Sequence, residues 1–559
     1  MRCRRNDFAT AAVVRFQPVR SPRLPVDALE PATYRPLNME DKLKIQPPVC
    51  RADSLRVRLA NLAWQEGLSA FLTNGVPFSF SSGRVLADGV AHLVDALAQN
   101  SDHVRVMEMG AGIGYLSAFC LDTLSEEFPD TYRKSEFLVT DGAPALVRDS
   151  ESLGILKRHG SHARYAVSDL RDKASILQDQ PRLLILSYLI DAIPPDHIIH
   201  LDNETASIRV ATSVPRDVVV YDCADWPPKV LDAEAVLERL TGGFELLTPE
   251  LARKIVPLLV EAWTWDNERD SRDDDNLLNS RRSAITDLCD VLGEMPDESA
   301  VVITDFGYVK SGEIGFSEMM SEYGLCAFWA VAFDEIQEIA GEAGYETFLL
   351  AAGEGETHTL CIYKGQNEDG MDEAFRAGFD GMVSDRPHFV LYNLEEDASI
   401  EDVHEAIDRI EREMSEPEVN AYGNLARFIH LLLRFGDTER AATYARRCVE
   451  LYPEVAASEL TILGSTAGRN GELAAAEVLF NQAIRVAPGL GDAYLGLSGV
   501  YRARRDWARY LESVKAYLRV ADCDVPEVVA GIAQTLAGTD LETVAEEARA
   551  WCERHGTGS

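Results

Sequence analysis

The chain has 559 residues, 46% of them hydrophobic, and a formal net charge of -38. Its length exceeds what one hydrophobic core supports and predicts at least two domains, while the acidic balance excludes nucleic-acid binding that relies on overall attraction, which needs a field of Lys and Arg. No apolar run reaches the roughly 18 residues of a membrane span, and the ten cysteines form neither a CxxC pair nor a Cys/His cluster at zinc spacing, the pattern of reduced thiols rather than a metal module.

Residues 1–50 scatter Arg2, Arg4, Arg5, Arg15, Arg20 and Arg23 among Pro18, Pro22 and Pro25 without sustained periodicity, the composition of a disordered basic tail. Its acid-poor start has the character of an organellar transit peptide, or else it precedes a true start at Met39. Without the order of a secretory signal, the expected location is the cytoplasm, with mitochondria open only if the tail is a transit peptide.

From Leu55 the apolar spacing is helical through "LRVRLANLAWQEGLSAFL" and again through "GRVLADGVAHLVDALAQ". Strands and helices then alternate: "VRVMEM", a helix "YLSAFCLDTLSEEF", "EFLVTD", a helix "PALVRDSESLGILKRH", "RLLILSYL", "AVVITDFG", a helix "FDEIQEIAGEAGY", and the strands "TFLLAAG" and "THTLCIYK". This alternation predicts a mostly parallel sheet covered on both faces, a Rossmann-like α/β domain over about 51–365. An insertion spans about 196–299, and its acidic stretch "WDNERDSRDDDN" reads as a solvated loop or, in a transferase, as part of a lid or substrate wall.

The Gly- and acid-rich "KGQNEDGMDEAFRAGFDGMVSD" reads as a boundary, with a linker and helix over 366–415, after which the pattern is wholly helical. Taking Pro488 as the end of a 34-residue unit puts Leu460, Leu463, Gly464, Ala467, Ala476, Phe480 and Ala483 on the tetratricopeptide pattern. The next unit carries Tyr494, Leu497, Tyr501, Tyr510 and Tyr517, and an earlier one carries Leu425, Phe428, Leu432, Ala441, Ala445, Cys448 and Pro453. Residues 416–559 are therefore expected to be an all-α tetratricopeptide-repeat domain that binds a protein partner, capped by the helix around "ETVAEEARAWCERHG".

The chemistry concentrates in "VRVMEMGAGIGYLSAF". A dinucleotide site needs glycine at position 115, where Tyr115 stands, and a phosphate-binding P-loop needs a terminal GK[ST]. What fits is E-x-G-x-G-x-G, the S-adenosylmethionine signature of Rossmann-like methyltransferases. Gly110, Gly112 and Gly114 let the backbone close over the cofactor, the next helix offers free N–H groups, and Glu108 is available to its ammonium. Asp141, ending "FLVTD", is placed for the ribose hydroxyls, and Ser168 and Asp169 in "YAVSDL" for the adenine amine.

These residues open a resemblance. "MEMGAGIGYLSA", "VTDGAPALVRD", "LSYLIDAIPPD", "VVITDFGY" and "VAFDEIQEIAGEAGY" are similar, in order and spacing, to successive blocks of the MidA family, which includes the mitochondrial complex I assembly arginine methyltransferase. The resemblance runs from about Phe78 to Lys364 and implies a class I methyltransferase fold and S-adenosylmethionine-dependent methylation, in the mitochondrial members of an arginine on a partner protein. Where the family has Asn-Glu before its Leu-Asp-Ala-Leu-Pro, this chain has Ser187 and Tyr188, so only Asp191, Ala192 and Pro194 carry over. The family's block before the first strand has an acid after its Thr/Ser-Pro, and "PFSFSSGRVLADG" has neither that proline nor that acid. A guanidinium is best oriented by paired carboxylates, so arginine specificity does not carry over with Tyr188 in place of Glu.

Ser187 and Tyr188 stand where a methyl acceptor would approach, as pocket lining or as strand-end packing. Asp191 is a base or a turn cap, and Asp305 in "TDFG" a structural acid. His197 and His200 have no carboxylate partners in sequence and read as surface residues rather than metal ligands. Three functions stay open: methylation of a protein recruited by the repeats, a catalytically inactive methyltransferase-like adaptor or cofactor sensor, and methylation of a small molecule.

Overall fold

The computed structural model describes residues 42–555 apart from 51–52, 74–82, 100, 196, 200–204, 243–246, 266–278, 282, 311–319, 324–325, 352–356, 380–393, 395–397 and 522. Outside the described residues lie positions 1–41 of the expected tail, all of "PFSFSS", His200 and the acidic stretch after Trp265.

The six strands of the predicted alternation form, joined by a further one at Ala163–Val167, so that the sheet has β1 (Val104–Met109), β2 (Ser135–Asp141), β3 (Ala163–Val167), β4 (Leu183–Ser187), β5 (Ser299–Tyr308), β6 (Glu346–Leu350) and β7 (Thr357–Lys364). They lie in the order β6-β7-β5-β4-β1-β2-β3, with the two-residue strand Val331–Ala332 pairing beside β5. Strands β1 to β5 are mutually parallel, and β7 runs antiparallel to β5 and β6, so the sheet is mixed.

Both faces are buried, which is why the strands read as nearly unbroken apolar runs. On β1, Val104 and Val106 join one core with α1 (Arg84–Ala98) and α2 (Tyr115–Glu127), while Met107 and Met109 join another with the helices Ser283–Glu294 and Phe333–Glu342. Helix α3 (Pro144–Leu153) follows β2. The glycine of "TDFG" has a local cause: a Cβ on Gly307 would collide with the backbone of Val331, so glycine admits the short strand there.

One expectation about loose chain needs correction. Within the expected 1–50 tail, Lys42–Cys50 is a strand, antiparallel to Thr205–Pro215 of the insertion. Leu43 and Ile45 alternate toward an apolar cluster of the insertion, and the register breaks between Gln46 and Val49, where Pro47 and Pro48 have no N–H to donate. The insertion itself carries a five-stranded antiparallel sheet that includes this strand, together with the helices Ala233–Thr241 and Pro249–Ile255.

Over 366–415, where a linker and helix are expected, the described residues form helices at Glu368–Phe379 and Ile400–Glu413. There α4 (Glu368–Phe379) is a helix laid across α1, with Met371, Phe375 and Phe379 buried at helical spacing. One of the glycines that suggested a boundary marks a close crossing instead: a Cβ on Gly378 would lie 2.7 Å from the Gly89 carbonyl oxygen.

The C-terminal region is all helical, in four antiparallel pairs: α5 (Tyr422–Arg434) with α6 (Thr438–Leu451), α7 (Ala457–Arg469) with α8 (Leu473–Val486), α9 (Gly491–Arg504) with α10 (Trp507–Val520), and α11 (Val525–Leu536) with α12 (Glu542–His555). Leu425, Phe428, Leu432, Ala441, Ala445 and Cys448 are buried in the first pair, and Leu460, Ala467, Ala476, Phe480 and Ala483 in the second. A Cβ on Gly464 would stand 2.9 Å from the Phe480 ring, so the small residue admits the large one. Tyr494 and Tyr517 are only half-buried, and Tyr494 Oη donates to the Pro488 carbonyl at 3.1 Å.

This region is joined to the α/β part at both ends. Tyr422, Leu425 and Phe428 share a core with α1 and α2. At the far end α12, the expected cap, and α10 meet the insertion: Trp551 Nε1 of α12 donates to Pro228 O at 2.8 Å, and Lys254 Nζ donates to Leu518 O of α10 at 2.7 Å. Among the described residues no helix is long and apolar enough to cross a membrane.

If α4 is a core element, Phe379→Ala should destabilise the protein by about 3–5 kcal/mol, the usual cost of a buried Phe truncation. Chemical denaturation reads this directly, and a loss below about 1 kcal/mol would return the segment to a loosely attached linker.

Candidate functional site

Strands β2 and β3 lie on one side of β1, and β4 and β5 on the other. The strand order therefore reverses at β1, and open α/β sheets take ligands in the crevice outside the carboxyl ends of the strands at such a point. The glycine turn leaves β1 there. Gly110, Gly112 and Gly114 have φ of +66°, +56° and +85°, the left-handed region that glycine enters without a Cβ penalty.

Neighbouring elements hold the turn. Ala111 N donates to Thr140 O (2.9 Å), Gly112 N to Asp141 Oδ2 (3.2 Å), Ser150 Oγ to Gly112 O (3.0 Å) and Tyr165 Oη to Ile113 O (2.9 Å). Glu108 is only 3% exposed, and its Oε2 accepts from both the backbone N (3.2 Å) and the hydroxyl of Ser117, in the first turn of α2. This oxygen, expected to face a ligand ammonium, thus satisfies one of the free N-terminal N–H groups of α2, that of Ser117. Burial pushes the Glu108 carboxyl up to about 7 against the opposing pull of the Ser117 bonds.

Asp141 ends β2, and both of its oxygens are engaged, Oδ2 by Gly112 and Oδ1 by Ala143 N at 2.9 Å. A carboxylate has about four lone-pair sites, so ribose hydroxyls can still donate to it. After β3, Ser168 is buried with its N donating to Asp141 O at 3.1 Å, and its hydroxyl has no partner among the described residues. Asp169 points outward, where Arg171 Nε (2.9 Å) and Nη2 (2.6 Å) hold it and keep its carboxyl below the ordinary range. Val167, just before them, leaves an exposed apolar side chain at the end of β3.

At the end of β4, Ser187 is buried, and its hydroxyl too lacks a partner among the described residues. Tyr188 has φ +52°, a strained conformation for an aromatic residue. Its N donates to Thr304 O at 2.9 Å, and its Oη lies 3.1 Å from Thr357 Oγ1. Asp191 is buried, its N donating to Asp305 Oδ2 at 3.1 Å and its carbonyl accepting from Trp329 N at 2.7 Å. Asp305 therefore fixes the turn that carries Tyr188 and Asp191.

The structure brings Glu108, the three glycines, Asp141 and Ser168 around one turn, with Ser187, Tyr188 and Asp191 following the adjacent strand. Asp169 alone is turned away. Sequence reasoning missed Ser150, Tyr165, Thr304 and Thr357, which reach the site from separate elements without any motif. Among the described residues no group of three His, Cys, Asp or Glu is placed to hold a metal ion.

Residues 85–322 match a protein-family model described as "Putative S-adenosyl-L-methionine-dependent methyltransferase". The chain carries an S-adenosylmethionine-dependent methyltransferase domain. No curated protein matches the chain significantly. Among solved structures, similar ones include a COG1565 superfamily member from Burkholderia thailandensis bound to S-adenosylhomocysteine (15% identity, 59% of this chain and 90% of that one, TM-score 0.34). An O-methyltransferase family protein from the same organism shares 11% identity over 58% of this chain and 65% of that one, at TM-score 0.29. MamA shares 20% identity over 28% of this chain and 94% of that one, at TM-score 0.25. Likeness at these scores carries no argument about structure or function.

The residues present fit S-adenosylmethionine. Two buried hydroxyls without partners among the described residues, on Ser168 and Ser187, flank a turn whose glycines bring the backbone close, and Val167 offers an apolar surface beside them.

The raised Glu108 value sets a pH dependence. A carboxyl whose folded value lies above its ordinary 4.5 contributes stability in full only below 4.5, and loses it as pH rises through about 7. Glu108→Gln should therefore gain on the wild type between about pH 5 and pH 8, by about 3 kcal/mol at the upper end. Thermal denaturation across that range is the check, and a pH-independent difference would show that Glu108 ionises without cost.

Proposed function

We propose that this protein transfers a methyl group from S-adenosylmethionine to an acceptor on a partner protein, and that the C-terminal helix pairs are tetratricopeptide repeats that recruit that partner. The carrying observation is the glycine turn at the point where the strand order reverses, flanked by two buried hydroxyls without partners among the described residues. The proposed kinship with the MidA family rests on the block order noted above. The repeat reading draws support from the spacing of the helix pairs, whose first helices begin at Tyr422, Ala457, Gly491 and Val525.

In this reading Gly110, Gly112 and Gly114 present backbone to the methionyl part, Asp141 accepts the ribose hydroxyls, and Ser168 with Val167 receives the adenine. Glu108 acts through α2 by fixing the helix N-terminus, and Asp169 has no role, since Arg171 occupies it. Ser187 and Tyr188 orient the acceptor, and Asp305 holds the turn from which Tyr188 projects. When bound, S-adenosylmethionine supplies the electrophilic methyl. The protein's share is positioning and exclusion of water, and an acceptor that is already uncharged needs no strong base.

Titration calorimetry of the full chain with S-adenosylmethionine and S-adenosylhomocysteine tests the reading. Micromolar binding is expected, with Gly112→Arg and Asp141→Ala each weakening it at least about 100-fold, roughly 2.7 kcal/mol, while the melting transition survives. Unchanged affinity in both variants refutes the site assignment.

A further inference from the structure

Tyr115 follows Gly114 directly and opens α2, yet its buried ring packs among residues of the C-terminal helices. It stacks on Tyr422, the first residue of α5, with centroids 5.7 Å apart and planes at 17°. It meets Tyr452, just after α6, edge-on at 5.4 Å and 81°. Tyr422 and Tyr452 are themselves perpendicular at 5.4 Å, and Tyr452 Oη donates to Asn420 O at 2.8 Å, closing the triangle.

The turn has no slack on its other side. A Cβ on Gly114 would stand 3.0 Å from Tyr165 Oη and 3.1 Å from Val139 Cγ1. Further along α2, Asp122 is paired with Arg158 and with His159 Nε2 at 3.2 Å, tying the helix to the segment after α3. With α2 tied there, Tyr115 is the contact by which a shift of α5 reaches the residue next to Gly114.

We propose that Tyr115, Tyr422 and Tyr452 are positioning residues for cofactor binding, through which the first helix pair of the C-terminal region sets the geometry of the glycine turn. The proposal rests on reading that turn as the S-adenosylmethionine site. Because binding linkage is reciprocal, a partner that displaces α5 changes cofactor affinity by the same factor as the cofactor changes the partner's.

The test uses the full chain, titrated with S-adenosylhomocysteine and melted in parallel. Tyr422→Leu, remote from the ligand, should weaken binding about tenfold or more, some 1.4 kcal/mol. Tyr422→Phe, which keeps the ring, should stay within about twofold of wild type. Phe480→Leu, in the second helix pair, serves as a control for general destabilisation and should lower the melting temperature without changing affinity. Should Tyr422→Leu fail to fold, Tyr452→Leu at a half-buried position takes its place with the same expectation. Wild-type affinity in a folded leucine variant, or a loss no greater than that of Phe480→Leu, overturns the proposal. Absence of binding by the wild type overturns the cofactor reading and this proposal together, and differs in that it precedes any substitution.

Discussion

The hydrogen bond from the Gly112 amide to the Asp141 carboxylate ties the turn after β1 to the end of β2. Left-handed glycines alone would leave that turn with many accessible shapes, since the freedom that admits them also makes them costly to order. Asp141 fixes one amide, Ser150 and Tyr165 take the next two carbonyls, and Glu108 anchors the helix that follows. The crevice at the strand reversal has a defined floor because these side chains converge from different elements.

Much of this was legible in the sequence, and the exceptions share a physical cause. The strands announced themselves as apolar runs, and the E-x-G-x-G-x-G turn marked the carboxyl end of β1. What could not be read was direction. Beyond Val167 the side chains alternate, so Ser168 turns inward and Asp169 outward to Arg171, although either could have met a ligand on sequence alone. Glu108 was recognisable as an acid at a strand end, but its preference for the Ser117 amide depends on where α2 begins. Thr304, Thr357 and Tyr188 come together only because β5 lies between β4 and β7, a pairing that no local pattern encodes.

Glycine was also an ambiguous witness. In "KGQNEDGMDEAFRAGF" it suggested a flexible boundary, whereas Gly378 serves a close helix crossing over Gly89. The C-terminal pairs, expected as an appended adaptor, are seamed to the α/β part at both ends: by aromatic packing around Tyr115, and by Trp551 and Lys254 at the insertion. A partner approaching these helices meets a surface whose two ends are already committed to the same molecule.

The strand Lys42–Cys50 has a consequence for how the chain is made. Cys50 pairs with Arg209, 159 residues later. During synthesis at roughly 5–20 residues per second, the early strand leaves the ribosome about ten to thirty seconds before its partner exists. Over that interval Leu43 and Ile45 have no cluster to join, and an unpaired apolar strand is a template for other chains. The pair of prolines in its second half, which costs regular pairing in the finished sheet, also makes the waiting segment a poor edge for aggregation.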